Sequence, residues 1–89
     1  MAPSPFVTLA RAVALAEAEG PDAALPVLAG LEPVLGDHQR WHAVSGHVAE
    51  LAGDRGAARA HYLAAAGRAT NLAEQRHLIR LAAALSPDA

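Results

Sequence analysis

Between Trp41 and Thr70 the chain reads WHAVSGHVAELAGDRGAARAHYLAAAGRAT, and this stretch limits the fold more than any other. Gly46, Gly53, Ala58, Tyr62 and Ala65 recur at spacings that suit two antiparallel helices in close contact. A glycine inside a helix costs up to about 1 kcal/mol relative to alanine. Gly46 therefore implies that a neighbouring helix passes close to it, with Tyr62 filling the space beside it.

The flanking sequence divides into further helices. Ser4-Pro5 reads as an N-cap followed by proline at the first helical position, where a missing N–H costs nothing. Phe6, Leu9, Val13 and Ala16 then recur at helical spacing, with Ala12 and Leu15 alongside, and predict a helix from Pro5 to about Glu19. Gly20 and Pro21 stop it. Asp22 is the expected cap of a second helix, with Pro26 in its first turn, an apolar face of Leu25, Leu28 and Leu31, and an end at Pro33. Asp37 is the expected cap of a third, over about His38 to Ala52, with Trp41, Val44, Val48 and Leu51 on one face. Asp54 caps a fourth running to about Gly67. Asn71, with Glu74 three residues on, opens a fifth as a capping box. Its apolar face is Leu78, Leu81, Ala82 and Leu85, and Ser86-Pro87 ends it.

At an offset of 34 residues Ala12 aligns with Gly46, Leu15 with Ala49, Ala24 with Ala58, Leu28 with Tyr62 and Leu31 with Ala65. That is the period of a tetratricopeptide repeat, and Gly46, Gly53, Ala58, Tyr62 and Ala65 match five of its signature positions. The expected fold is all-α: one tetratricopeptide-like domain over residues 1–89 with about five helices. Its units cover about 5–36 and 37–70, and a closing helix at about 71–85 covers an apolar face.

Composition narrows the function classes. Much of the 53% apolar content is alanine, which offers little area to bury, so net stability is expected to be about 3–5 kcal/mol and self-association would add to it. The chain has no cysteine, which excludes disulfides and thiolate metal sites and fits a reducing, cytoplasmic setting. No apolar run is long enough to cross a bilayer. The net charge is −2, and there is no lysine. Arg55, Arg59, Arg68, Arg76 and Arg80 are nearly balanced by Glu50, Asp54, Glu74 and Asp88, which argues against a nucleic-acid partner.

The order of ARAVALAEAEGPDAAL, WHAV, LAGDRGAARAHY and ATNLAEQRHL resembles the C-terminal helical extension of a group of extracytoplasmic-function RNA polymerase sigma factors, from about Ser4 to Leu85. The resemblance implies a tetratricopeptide-like regulatory region. It carries over a fold and an interaction role without promoter recognition, because the promoter-reading residues have no counterpart here. The chain departs from the pattern at Ala10, at Ser45-Gly46-His47 and at Ala57.

In a tetratricopeptide register the first helix of each pair lines a groove. Phe6, Leu9, Val13 and Glu17 would come from helix one, Arg40, Ala43, His47 and Glu50 from helix three, and His77 from helix five. The first expectation is a stand-alone module that binds a protein or peptide, without cofactor or metal, through Glu17, Arg40, Trp41, His47, Glu50 and His77. The alternative is a small enzyme or metal protein in which His47, Glu50 and His77 perform acid/base chemistry on a peptide or small metabolite. Against it, His47 and Glu50 are also what a solvated i,i+3 pair looks like. The single Glu74-x-x-His77 lacks the second copy that a di-iron bundle needs, and His38 and His42 lack a third zinc ligand. Trp41 is assigned to the core or, if exposed, to a partner or dimer contact. His42 is expected to pack half-buried beside Trp41, and His61 to face solvent. No serine stands on a nucleophile elbow, and no glycine-rich loop has phosphate-cradle spacing.

Overall fold

The computed structural model describes residues 4–85, and within them the chain is all-helical. Five helices follow in order: α1 (Pro5–Glu19), α2 (Pro21–Leu35), α3 (Gln39–Leu51), α4 (Arg55–Gly67) and α5 (Leu72–Ala84). None is long and apolar enough to cross a membrane. The predicted stop at Ser86-Pro87 lies outside the described residues.

Local chemistry sets most boundaries. Ser4 Oγ accepts from Phe6 N–H at 3.2 Å and starts α1 beside Pro5. Gly53 takes a positive φ of 80° after α3. Its N–H then bonds Glu50 C=O, while Asp54 N–H reaches back to Ala49 C=O at 2.9 Å. This paired closure satisfies carbonyls that a helix end leaves bare. It also delivers Asp54 to the start of α4, where its carboxylate accepts from Ala57 N–H at 3.1 Å.

Three predicted boundaries differ. Gly20, at φ 100°, caps α2, and Pro21 holds its first position in place of the expected Asp22 cap. Pro26 therefore lies beyond the first turn, and α2 passes through Pro33 to Leu35. The two prolines are seven residues apart on the exposed face, and the Asp22 and Ala29 carbonyls they leave without a partner belong to exposed residues, where water can bond them. Ala24, Leu28, Leu31 and Leu35 hold the opposite, buried face. In α3 the cap is His38, not Asp37: its Nδ1 accepts from Arg40 N–H at 3.1 Å. Asn71 caps α5 through Glu74 N–H at 2.8 Å, but the Glu74 carboxylate does not fold back as a capping box. It accepts instead from Gln39 Nε2 at 2.9 Å, joining α5 to α3.

The buried residues form two clusters that meet on α3. Leu9, Ala12, Ala16, Ala24, Leu28, Leu31, Leu35, Trp41 and Val48 make the first. Ala49, Ala58, Tyr62, Ala65, Ala66, Leu78, Ala82 and Leu85 make the second. Trp41 is 6% exposed, and its indole N–H donates to Leu28 C=O at 3.0 Å, which ties α3 to α2. Gly46 lets the Tyr62 ring of α4 lie directly against α3: a Cβ there would stand 2.8 Å from the ring. Some expected core positions are open to solvent. Leu25 and Leu51 are each 47% exposed, because Ala24 and Ala49 take the buried positions on their helices, and Phe6, 37% exposed, borders a surface hollow.

Candidate functional site

Two connected hollows lie along the face made by α1, α3 and the start of α5. The apolar one, about 280 Å³, is lined by Phe6, Leu9 and Ala10 of α1, Gln39, Arg40, Ala43 and Val44 of α3, and Glu74. The polar one, about 600 Å³, lies at the start of α3 and shares Gln39, Arg40 and Glu74 with it. The Gln39–Glu74 hydrogen bond thus forms part of both walls. On the polar side Arg68 Nε donates to Asp37 C=O at 3.1 Å, and its guanidinium stands 3.8 Å from the Asp37 carboxylate.

Arg40 lies over the Phe6 ring, 5.6 Å from its centroid, and His38 meets the same ring edge-on at 4.8 Å. Among the described residues the ion pairs are Glu17–His47 and Asp37–Arg68, so Arg40 has no carboxylate partner there. It is a solvent-facing cation beside an apolar hollow. A guanidinium held against an aromatic face keeps its donors free for a ligand.

The other expected site residues are dispersed. Glu17 Oε1 and His47 Nε2 are 3.7 Å apart across α1 and α3. Glu50 turns to α4 and accepts from Tyr62 Oη at 2.8 Å. Burial first, and then this bond, push the Tyr62 phenol well above its ordinary pKa, so it stays a donor. His77 is exposed on α5. Among the described residues no three His, Asp or Glu side chains gather closely enough to hold a metal ion. Trp41, expected as a binding residue or as core, is core and offers a partner no surface.

An arrangement not anticipated from sequence lies on the other side of α3. His61 is half-buried, not exposed as expected, and its Nδ1 is 3.1 Å from His42 Nδ1. His42 Nε2 lies 2.7 Å from Gly36 C=O. Both rings meet Trp41 edge-on, at 5.0 and 5.5 Å between centroids. Burial first, and His42 second, lower the His61 pKa below its ordinary 6.5, and Glu32 acts in the opposite sense. The sequence signal for the pair is faint: His61 immediately precedes the core residue Tyr62, and a ring there reaches α3 only because the alanine-rich α4 packs so closely.

No protein-family model matches the chain. It is 37% identical over 76 residues to a protein of Rhizobium meliloti (strain 1021) described as uncharacterized. The match takes in 85% of this chain and 18% of that protein, so the chain spans less than a fifth of the length of the curated relative it matches. No solved structure matches it.

Proposed function

We propose that this chain is a tetratricopeptide-like module that holds a peptide segment of a protein partner in the groove of α1, α3 and α5. The 34-residue period supports the architecture. Ala12 and Gly46, Ala24 and Ala58, Leu28 and Tyr62, and Leu31 and Ala65 are all buried in equivalent pairs, with α1–α2 and α3–α4 as the two hairpins and α5 as the closing helix. The observation that carries the binding role is the apolar hollow floored by Leu9, Ala43 and Val44, with Arg40, which has no carboxylate partner among the described residues, at its rim. An apolar side chain of the peptide would fill it, and a neighbouring acidic group would meet Arg40.

The same reading relates the module to the regulatory extension of sigma factors. A matching segment that occupies 18% of a longer relative is compatible with a module that also occurs inside larger chains. Acid/base catalysis by His47, Glu50 and His77 is the weaker reading, since Glu50 is engaged by Tyr62.

The test is an array of short peptides of varied sequence, probed with the native chain and with Ala10→Trp. Ala10 is exposed and lines the hollow, so an indole there fills the groove without entering the core. Retention of peptides carrying an apolar residue next to an acidic one, lost in Ala10→Trp, is the expected result. An array that captures nothing, or capture unchanged by Ala10→Trp, overturns the proposal.

A further inference from the structure

The two buried-side histidines fix each other's protons. Gly36 C=O can only accept, so His42 Nε2 must carry a hydrogen, and in neutral His42 the Nδ1 lone pair is bare. His61 Nδ1 then donates to it. The ring centroids are 5.4 Å apart and the nitrogens 3.1 Å, a difference of about twice the ring radius. The nitrogens thus point at one another along one line, as an N–H···N bond requires. Two ligands of a single metal would instead converge on a point off that line, so this is not a chelating geometry.

This bond ties α4 to α3, and the Gly36 bond ties α3 to the turn after α2. The hollow beside His61 is lined by Glu32 from α2 and Asp54 at the start of α4, with Trp41 and Ser45 from α3, and of the two carboxylates it is Glu32 whose charge acts on His61. We propose that His42 and His61 are a proton-operated latch on α4, closed with none or one added proton and forced open by the second. The first proton has a free place, His61 Nε2, and leaves the Nδ1–H···Nδ1 bond intact with Glu32 nearby to offset its charge. The second can enter only between the rings, at whichever Nδ1 does not hold the bridging hydrogen. Two N–H groups then confront each other at 3.1 Å on two cations, and the rings must part. Since both rings lean on the edge of Trp41, parting admits water to the indole. The start of α3 leaves the same turn, so the latch sets how firmly the polar end of the groove is held.

The test follows the imidazole nitrogens of the full chain by ¹⁵N NMR, together with Trp41 emission, from about pH 7.5 to about pH 4.5, the range over which histidine changes charge. The expected course has two steps. The first proton on the pair leaves Trp41 emission unshifted, and the second, which makes both rings cations, brings a red shift while far-UV CD still reports helix. In His61→Phe, which keeps a ring against Trp41 and cannot titrate, the red shift is lost. In His77→Ala, an exposed histidine remote from the pair, it persists. Two doubly protonated rings with an unshifted Trp41 would overturn the latch, and so would a red shift that coincides with the first proton or survives in His61→Phe. If His61→Phe does not fold, the native-chain NMR and emission decide alone.

Discussion

Replacing Gly46 by alanine sets two helix effects of opposite sign against each other. Alanine is the better helix former by up to about 1 kcal/mol. But a Cβ at residue 46 would stand 2.8 Å from Tyr62 Cε1, 2.9 Å from Cδ1 and 3.2 Å from Cζ. The whole edge of the ring is in the way, and the ring has little freedom to retreat. Tyr62 is 4% exposed and tethered at its hydroxyl to Glu50. Overpacking of this kind costs about 1–3 kcal/mol, so even against the full helix gain the substitution should lose up to about 2 kcal/mol net. Gly30 supplies the control. It lies within α2, is exposed, and a Cβ there meets nothing within 4 Å, so Gly30→Ala should gain about 0.5–1 kcal/mol. Urea midpoints of the two variants should move in opposite directions. A double-mutant cycle adds a stricter condition: with Tyr62→Leu as background, the penalty of Gly46→Ala should shrink by about 1 kcal/mol or more. A Gly46→Ala protein as stabilised as Gly30→Ala would refute the claim that α3 and α4 are set at contact distance by this pair.

Four further outcomes follow from individual contacts. Ser45 is 6% exposed and its hydroxyl has no partner among the described residues; since a buried unpaired hydroxyl costs about 1–3 kcal/mol, Ser45→Ala should raise the urea midpoint, and a clear fall would mean that the hydroxyl is bonded. Tyr62→Phe removes only the bond to Glu50 and should cost about 1 kcal/mol by the same measurement, with Glu50→Gln giving a smaller loss because its amide still accepts. His61 is disfavoured as a cation in the folded state, so below pH 6.5 the unfolded chain binds the extra proton first. The stability from this residue is therefore present above 6.5 and lost as pH falls through the interval beneath it; subtracting the pH–stability curve of His61→Phe from that of the native chain should isolate the decline, and a flat difference would sink it. The Glu17–His47 pair is long and largely solvated, so Glu17→Gln should change stability by less than about 0.5 kcal/mol at any pH where the imidazole is charged.

The sequence is most legible where one residue acts alone on the backbone. Ser4, Asp54 and Asn71 cap their helices as expected because a short polar side chain reaches the free N–H groups ahead of it whatever surrounds it. Gly46 is legible for a related reason: an unfavourable residue inside a helix implies something nearby that alanine could not tolerate, and the Tyr62 ring is that object. The prolines mislead because their cost depends on where the freed carbonyls face. Pro26 and Pro33 break a helix only if the Asp22 and Ala29 carbonyls have no other partner, and seven-residue spacing puts both on the wet side of α2. Local pattern does not encode that fact until Leu28, Leu31 and Leu35 have fixed the dry side.

Side chains that act between helices are less legible in the sequence, for one physical reason. An alanine-rich chain has many near-equivalent apolar strips, so small rotations exchange which residues meet. The strip expected at Leu25 and Leu51 gave way to Ala24 and Ala49, and the same choice turned Glu50 from the groove toward Tyr62 and brought His61 to His42. Glu74 accepts from Gln39 Nε2 and not from the N–H of its own cap, a bond that joins two helices and that local spacing alone does not announce. The apolar hollow of α1 and α3 does not depend on these exchanges. Its walls rest on Leu9 and Val44, whose positions the close packing around Gly46 and Trp41 already determines, and the exposed Arg40 at its rim is placed by the His38 cap. The polar latch on the far side rests on the same central helix, so a perturbation of α3 at Gly46 should be felt both in the groove and at the histidine pair.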